Sequence, residues 1–350
     1  MLQEISISEY YQSYYHLAII DVRSPGEYEK GHIPGAVNIA LFSNEERADI
    51  GTTYLRRSKD LAMELGYKYV APKLQDFIDQ SRMVAPRGEV VVHCWRGGMR
   101  SQSFAKHIHD NGMERVYIIT GGYKAFRNYV LDFFKQEFNL RILGGYTGSG
   151  KTEIIAEFEK MGLQVVDLER LANHKGSAFG AINQAPQPTV EQFENNLFNM
   201  MRPLNFQEPI WLEDESNSIG KVQIPMGLFN QIRQKTLVFI DIPKEKRAYH
   251  LVKGYAVCDK SLLEKGINQV AKRLGGLATQ QALEFLASDN FYQVALILLV
   301  YYDKTYFKGL QTRSPGQIIQ LSLDDTNHEL NAHKIIEYFK QNGQNQTNPI

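Results

Sequence analysis

Two α/β domains in series, each a parallel sheet with helices on its faces, are what the sequence predicts. Three observations carry that expectation. Short β-rich runs alternate with helical patterns through the first third of the chain. A second start appears at Arg141-Ile142-Leu143, where an apolar run meets a glycine-rich turn and then a helical pattern. The chain has 350 residues, enough to bury two cores of ordinary size.

Each element can be justified in order. Residues 16–22 form the first strand candidate, running into Asp21-Val22-Arg23-Ser24-Pro25-Gly26, where Pro-Gly stops regular structure. Ile33-Pro34-Gly35 makes a turn, and a second short strand follows it to residue 39. The stretch 44–82 is longer than a connection requires, and its charged, helix-favouring composition predicts a helical insertion. Residues 89–93 are a compact apolar run ending at Cys94, followed by a glycine pair and a helical pattern over 101–110. Residues 116–120 make another strand ahead of Gly121-Gly122, and 123–134 read as helix. The first domain is therefore expected over 1–135 and the second over 141–340, with the boundary near 135–140. In the second, helix 153–160 follows the glycine-rich turn, with buried strands at 164–167, 209–212 and 237–241. Residues 341–350 are rich in Asn and Gln and are expected to be disordered.

Bulk composition narrows the class. Hydrophobic residues make up 43% and charged residues 22%, the balance of a soluble globular protein. The apolar run 294–300 is too short to cross a bilayer, so no membrane partner is expected. Glu4, Glu9 and their polar neighbours argue against a secretory signal. Two cysteines cannot build a disulfide framework, and a reduced, cytoplasmic compartment follows as the expectation. Lys+Arg and Asp+Glu balance at 39 each, so bulk charge lends no support to a polyanion partner. Such a partner needs basic groups gathered locally, as at Arg56-Arg57 with Lys59 or Arg96 with Arg100.

The first segment with chemistry is His93-Cys94-Trp95-Arg96-Gly97-Gly98-Met99-Arg100-Ser101. A strand delivers Cys94 to its C-terminal end, and two glycines let the following backbone fold its N–H groups toward one spot. That cradle, with a helix N-terminus behind it, favours an anion and the thiolate. Arg96 and Arg100 add fixed positive charge, making Cys94, Arg96 and Arg100 the candidate catalytic residues. A merely packed cysteine has no need of such a loop, and Cys258, which lies in none, reads as ordinary packing. The pattern also fits the tyrosine-phosphatase signature, where an arginine clamps phosphoryl oxygens. The upstream segments Asp21–Tyr28 and Gly31–Asn38, with Gly121-Gly122-Tyr123, decide between the two: they resemble rhodanese domains, although Phe126 stands where many rhodaneses carry Trp. That resemblance implies sulfur or selenium carried at Cys94.

Gly145-Tyr146-Thr147-Gly148-Ser149-Gly150-Lys151-Thr152 fits G-x-x-x-x-G-K-[ST] in full, after a strand and at the head of a helix. Gly145, Gly148, Ser149 and Gly150 would offer backbone N–H groups to a diphosphate, Lys151 would neutralise it, and Thr152 would hold Mg²⁺. The acidic partner is expected at the end of another strand: Asp214 is taken for the metal, with Glu213, Asp167 and Asp241 as competitors. The loop implies a phosphate-bearing ligand without saying that it is ATP. Asn173-His174-Lys175-Gly176-Ser177 is a second polar loop suited to anions.

A rhodanese-like parallel-sheet domain followed by a P-loop NTPase-like α/β domain is an unusual pairing. With residues 94–101, 144–152, 167–180 and 211–216, the chain resembles the tRNA 2-selenouridine synthase family along nearly its whole length. Tyr146 departs from a polar or basic residue in the phosphate loop, which leaves the backbone cradle intact. The resemblance implies a two-step exchange on tRNA bearing wobble 2-thiouridine: S-geranylation by geranyl diphosphate, then selenium from selenophosphate. It implies Mg²⁺ as a cofactor and an enzyme supplying selenophosphate as a partner. Cys94 would handle selenium, as a perselenide or by positioning selenophosphate. The isoprenoid needs an apolar groove, for which the aromatic stretch 291–306 is a candidate and ordinary core the competing reading. An ATP-dependent tRNA sulfurtransferase using a Cys94 persulfide is the alternative function, and a nucleotide-switched binding module a further one.

Overall fold

The computed structural model describes residues 1–255 and 258–344. The chain separates into two compact units, Met1–Phe133 with Glu194–Asn199, and Phe134–Phe193 with the chain from Met200 onward. Both are parallel five-stranded sheets with helices on their faces.

The first sheet holds β1 (Leu2–Ile5), β2 (Ala18–Asp21), β3 (Val37–Asn38), β4 (Glu89–His93) and β5 (Arg115–Ile119), in the order β1-β5-β4-β2-β3. Val90, Val91 and Val92 of the central β4 are all fully buried, because helices cover both faces of a parallel sheet. β1 is an edge strand with three exposed residues, so no apolar run announced it in the sequence. Its helices are the single turn α1 (Ile7–Glu9), then α2 (Pro25–Lys30), α3 (Asn44–Arg56), α4 (Lys59–Val70), α5 (Leu74–Val84), α6 (Met99–Asp110) and α7 (Gly122–Phe133). The insertion expected over 44–82 is α3 to α5. It starts on a capping box: the Ser43 hydroxyl accepts from the Glu46 amide at 3.2 Å, and the Ser43 amide donates to Glu46 Oε2 at 2.8 Å.

The second sheet holds β6 (Leu140–Gly145), β7 (Gln164–Val166) and β8 (Ile210–Glu213); a hairpin of β9 (Ser218–Ile219) and β10 (Val222–Gln223) stands apart. β11 (Leu237–Asp241) and β12 (Ile318–Ser322) complete the order β12-β11-β6-β8-β7. The chain runs from β6 to one side and later returns to the other, so the C-terminal end of β6 faces the crevice where open α/β sheets bind ligands. The helices are α8 (Lys151–Lys160), α9 (Leu168–Ala172), α10 (Val190–Met201), α11 (Met226–Gln234), α12 (Lys244–Tyr255), α13 (Lys260–Leu274), α14 (Gly276–Ala287), α15 (Phe291–Leu310) and α16 (His328–Gln344). Because α16 continues to Gln344, residues 341–344 of the expected disordered tail are helical; 345–350 lie outside the described residues. No helix among the described residues is long and apolar enough to cross a membrane.

Candidate functional site

Two sites stand at the C-terminal ends of the two sheets. In the first unit, β4 delivers Cys94, which is 4% exposed. The loop after it is closed by a second glycine turn. The Tyr123 and Lys124 amides donate to the carbonyls of Cys94 and Trp95 at 2.8 and 3.0 Å. Gly97 and Gly122 both sit at positive φ, 65° and 56°. A Cβ on Gly122 would strike the Cys94 carbonyl and the amides of Arg96 and Gly97, while one on Gly97 would strike the Ile119 carbonyl. The two turns interlock, and only glycine fits at the contact.

Around Sγ the groups favour a negative charge. The Ser101 hydroxyl donates to Sγ at 3.2 Å. Burial by itself pushes the thiol up; the Ser101 hydroxyl, the Arg100 charge and the Arg96 and Ser101 amides outweigh it and hold Cys94 below its ordinary value. The two arginines divide their work. Arg96 serves Sγ through its amide, and its side chain is exposed. Arg100 is anchored by Glu27, with Nη1 donating to Oε2 at 2.8 Å. Glu27 lies within the Asp21–Tyr28 segment, but its pairing across 73 residues could not be read from spacing.

Beneath the loop, Asp21 and His93 are level across β2 and β4. Buried Arg23 donates from Nε and Nη2 to Asp21 at 2.9 and 2.6 Å, gives Nη2 to the Gly31 carbonyl at 2.7 Å, and lies 3.8 Å from the Tyr123 ring centre. Burial lowers the fully enclosed His93 below its usual value, so it is a neutral support. Asn195 donates to the Tyr123 hydroxyl and the His32 carbonyl, both at 2.9 Å.

In the second unit, Gly148 and Gly150 hold positive φ, 80° and 77°, as a phosphate cradle needs. A Cβ on Gly145 would lie 2.7 Å from Ser149 Oγ. Ser149 is 1% exposed, and its hydroxyl finds no partner within the protein. Lys151 Nζ folds back to the Gly145 carbonyl at 3.0 Å, where a phosphate oxygen would replace it. Arg247 Nη1 donates to the Thr147 carbonyl at 3.0 Å while the same guanidinium pairs with Asp303 at 2.9 and 2.8 Å, fixing the loop from behind. The Arg247 guanidinium lies 5.0 Å from the Tyr146 ring centre, which gives the unusual aromatic a structural place.

The carboxylates nearest the Thr152 hydroxyl are Glu213 and Glu169 rather than Asp214. Thr152 Oγ1 lies 2.8 Å from Glu213 Oε1 and 2.9 Å from Glu169 Oε2. Asp214 is instead held by Arg313 at 2.6 Å, Arg233 at 3.2 Å and the Tyr306 hydroxyl at 2.8 Å. Glu213 ends β8 level with Leu143 of β6 and is fully buried, while the next residue, Asp214, reaches the cavity beside the phosphate loop with its carboxylate already paired. Asp214 is thus a buried anchor, and Glu213 is the carboxylate at the hydroxyl.

One hydroxyl proton cannot satisfy both glutamates, so a carboxyl proton must supply the second contact. Burial, and then the neighbouring Glu169, push Glu213 well above the carboxylate range and Glu215 up to about 8; Glu169 is raised by its burial. Among the described residues no three His, Cys, Asp or Glu side chains form a metal cage. Mg²⁺ typically takes one hydroxyl or carboxylate together with ligand phosphates and waters, and Thr152 beside a proton-holding carboxylate cluster fits that donor set.

Lys151, Thr152, Glu169, Asp214 and Glu215 line a cavity of about 1030 Å³ that also holds Lys175, Lys272 and Arg273, and Glu213 lies fully buried behind the Thr152 hydroxyl. The loop 173–177 divides its roles: Lys175, Gly176 and Ser177 face this cavity, whereas His174 is buried. Tyr301, Tyr302 and Tyr306 of the aromatic stretch reach the cavity, while Val294, Ala295, Leu298 and Leu299 pack into the core.

Comparison with known proteins finds a match for each half of the chain. Residues 138–337 match the family model described as the tRNA 2-selenouridine synthase AAA domain, and 8–129 the rhodanese-like domain. The chain is 31% identical to a tRNA 2-selenouridine synthase of Nitrosomonas europaea, over 84% of this chain and 89% of that protein. It is 32% identical to proteins of the same name from Nitrosomonas eutropha, over 84% and 89%, and Shewanella frigidimarina, over 90% and 94%.

Proposed function

The chain belongs to the tRNA 2-selenouridine synthase family and is an enzyme of that type, and from this premise we propose that it converts wobble 2-thiouridine in tRNA to 2-selenouridine in two steps, divided between its two loops. The observation that carries the division is that the chain holds two chemically different anion sites: a lowered-pKa thiol among N–H donors, and a diphosphate loop beside a carboxylate cluster.

In the first step the phosphate loop takes geranyl diphosphate. The uridine sulfur forms a bond to the geranyl C1, the C1–O bond breaks, and diphosphate leaves with the electron pair while the base gives up its N3 proton. Lys151, the loop amides and the Ser149 hydroxyl stabilise the departing charge. Thr152 and Glu213, with Glu169 and Glu215 nearby, would hold Mg²⁺, which when bound neutralises diphosphate charge. Tyr301 and Tyr302 offer apolar wall for the chain, and Lys175, Lys272 and Arg273 offer positive charge for RNA phosphates.

In the second step the cysteine loop takes selenophosphate. Its selenium attacks C2, the C2–S bond breaks, and geranylthiolate leaves with the pair and takes a proton from water. Water then cleaves the Se–P bond, releasing phosphate and leaving C2=Se. A Cys94 perselenide could make the same attack but would need a second thiol to release it, so positioning of selenophosphate is the simpler account. An enzyme supplying selenophosphate is the partner this chemistry requires.

The test is mass spectrometry of nucleosides from 2-thiouridine tRNA incubated with the protein, omitting each donor in turn. Geranyl diphosphate alone is expected to give S-geranyl-2-thiouridine, and selenophosphate to convert it to the selenonucleoside. An unchanged nucleoside from folded, tRNA-bound protein would sink this reading; ATP-dependent sulfur exchange would then be the one to pursue.

A further inference from the structure

The first unit contains a cavity that neither loop uses. It lies in the helical insertion, measures about 880 Å³, and is bounded by α3, α4, α5 and the start of α6. That volume is within the range of specific small-ligand pockets. Its interior is apolar, with Phe42, Ile50, Met63, Val70, Phe77 and Phe104 among its walls. Phe42, Phe77 and Phe104 belong to the same buried cluster as Cys94, so the cavity wall and the thiol share one packed layer. Arg100, which acts on Sγ from the end of the cysteine loop, lines the cavity too.

The mouth has a different character. Arg47, Lys59 and Arg100 also line the cavity, with Glu27 pairing to Arg47 and Arg100, so the group carries a net positive charge. Arg47 Nε is buried with no hydrogen-bond partner, 3.6 Å from Glu27 Oε2. Leu55, Tyr67 and Tyr54 stand 84%, 63% and 57% exposed around it, a concentration of apolar surface that commonly marks a binding site. A hydrocarbon-lined interior with a cationic rim suits a molecule that is hydrocarbon at one end and anionic at the other.

We propose that this cavity receives the geranyl chain of S-geranyl-2-thiouridine while its base lies at the cysteine loop, so that the insertion selects the geranylated intermediate for selenation. The proposal rests on the two-step reading above and adds a second isoprenoid site to it. Selenophosphate selenium forms the C2–Se bond, the C2–S bond breaks, and the sulfur leaves with its electron pair on the geranyl fragment already seated in the cavity, taking a proton from water. Burial of a group remote from C2 provides binding that orients the reacting centre, and a base lacking the chain is passed over. Lys59 and Arg47, whose Nε has no hydrogen-bond partner, take the nucleotide phosphates, while Arg100 stays with Glu27 and Cys94.

The experiment uses the full chain and an anticodon stem-loop whose 2-thiouridine sulfur carries a diazirine-bearing C10 chain. After irradiation, peptide mass spectrometry is expected to find the label on residues 50–77. Label confined to the phosphate-loop cavity, or none, overturns the proposal and leaves the apolar rim to a partner helix. Kinetics give a second readout. The exposed-rim pair Leu55→Asp and Tyr67→Asp, and the cavity-filling Ala62→Phe, should each lower kcat/KM for selenation of S-geranyl RNA about tenfold relative to S-methyl RNA; an equal effect on both substrates overturns the selection role. If the wild type is labelled here yet makes no geranylated nucleoside from geranyl diphosphate, the cavity stands and the two-step reading falls. If it makes the geranylated nucleoside but takes no label here, the two-step reading stands and the cavity proposal falls.

Discussion

At the cysteine loop the polar groups around Sγ all favour one charge: a hydroxyl, two amides and the Arg100 guanidinium converge on a single sulfur. At the phosphate loop they conflict. Thr152 Oγ1 lies between two carboxyl groups, a third carboxyl stands nearby, and Lys151 turns back to a backbone carbonyl. The first site is electrostatically complete as folded, ready to present an anion. The second resolves its conflict only by holding protons, and is suited to exchange them for a cation and a phosphate ligand. Each loop is therefore prepared differently: the first is a finished set of donors around one sulfur, and the second waits for substrate.

The largest effect that would sharpen this contrast is expected from Lys151→Ala. Geranylation should fall about 10²–10³-fold, the usual cost of removing one donor to a departing anion. Selenation of chemically prepared S-geranyl-2-thiouridine RNA should survive in the same variant, and equal loss of both activities would break the division.

A second comparison separates neighbours. Glu213→Gln should weaken Mg²⁺-dependent geranylation and leave folding largely intact. Asp214→Asn should instead lower unfolding free energy by about 3 kcal/mol, because it breaks a buried charge cluster with Arg313 and Arg233. Urea melts beside initial rates distinguish the two; a reversal of phenotypes would restore Asp214 to the metal.

The pH responses should differ in sign. Glu213, Glu215 and Glu169 are raised in the folded state, so the native protein binds more protons than the unfolded chain above the ordinary carboxylate value. Stability without Mg²⁺ should therefore fall as pH rises from about 4.5 toward about 8, and Mg²⁺ should flatten the loss. Cys94 is lowered, so its thiolate persists to lower pH than that of a free thiol. Ser101→Ala should raise its pKa and slow iodoacetamide labelling at pH 7 by a few fold, roughly the effect of one hydrogen bond. A melting curve flat in pH, or unchanged labelling, would remove the electrostatic contrast.

Much of this was legible in the chain because it is local. The Cys94 loop after β4, the Gly145–Thr152 loop after β6 and the helices α3 to α5 are each written in consecutive residues. What escaped depends on distance or on the parity of a strand. Whether Glu213 or Asp214 faces Thr152 turns on a single residue of register, and a carboxylate at the end of an apolar run reads the same either way. Glu27 meets Arg100, and Asn195 meets Tyr123, across separations that no periodicity marks. β1 has only one buried residue to announce it. The insertion was visible as helix, but the cavity within it exists only once α3, α4 and α6 come together.

The most direct test of the central claim is Cys94→Ala incubated with 2-thiouridine tRNA, geranyl diphosphate and selenophosphate together, read by nucleoside mass spectrometry. S-geranyl-2-thiouridine is expected to accumulate at nearly the wild-type rate while no selenonucleoside forms. A folded variant that makes neither product, or that still makes the selenonucleoside, would contradict that claim.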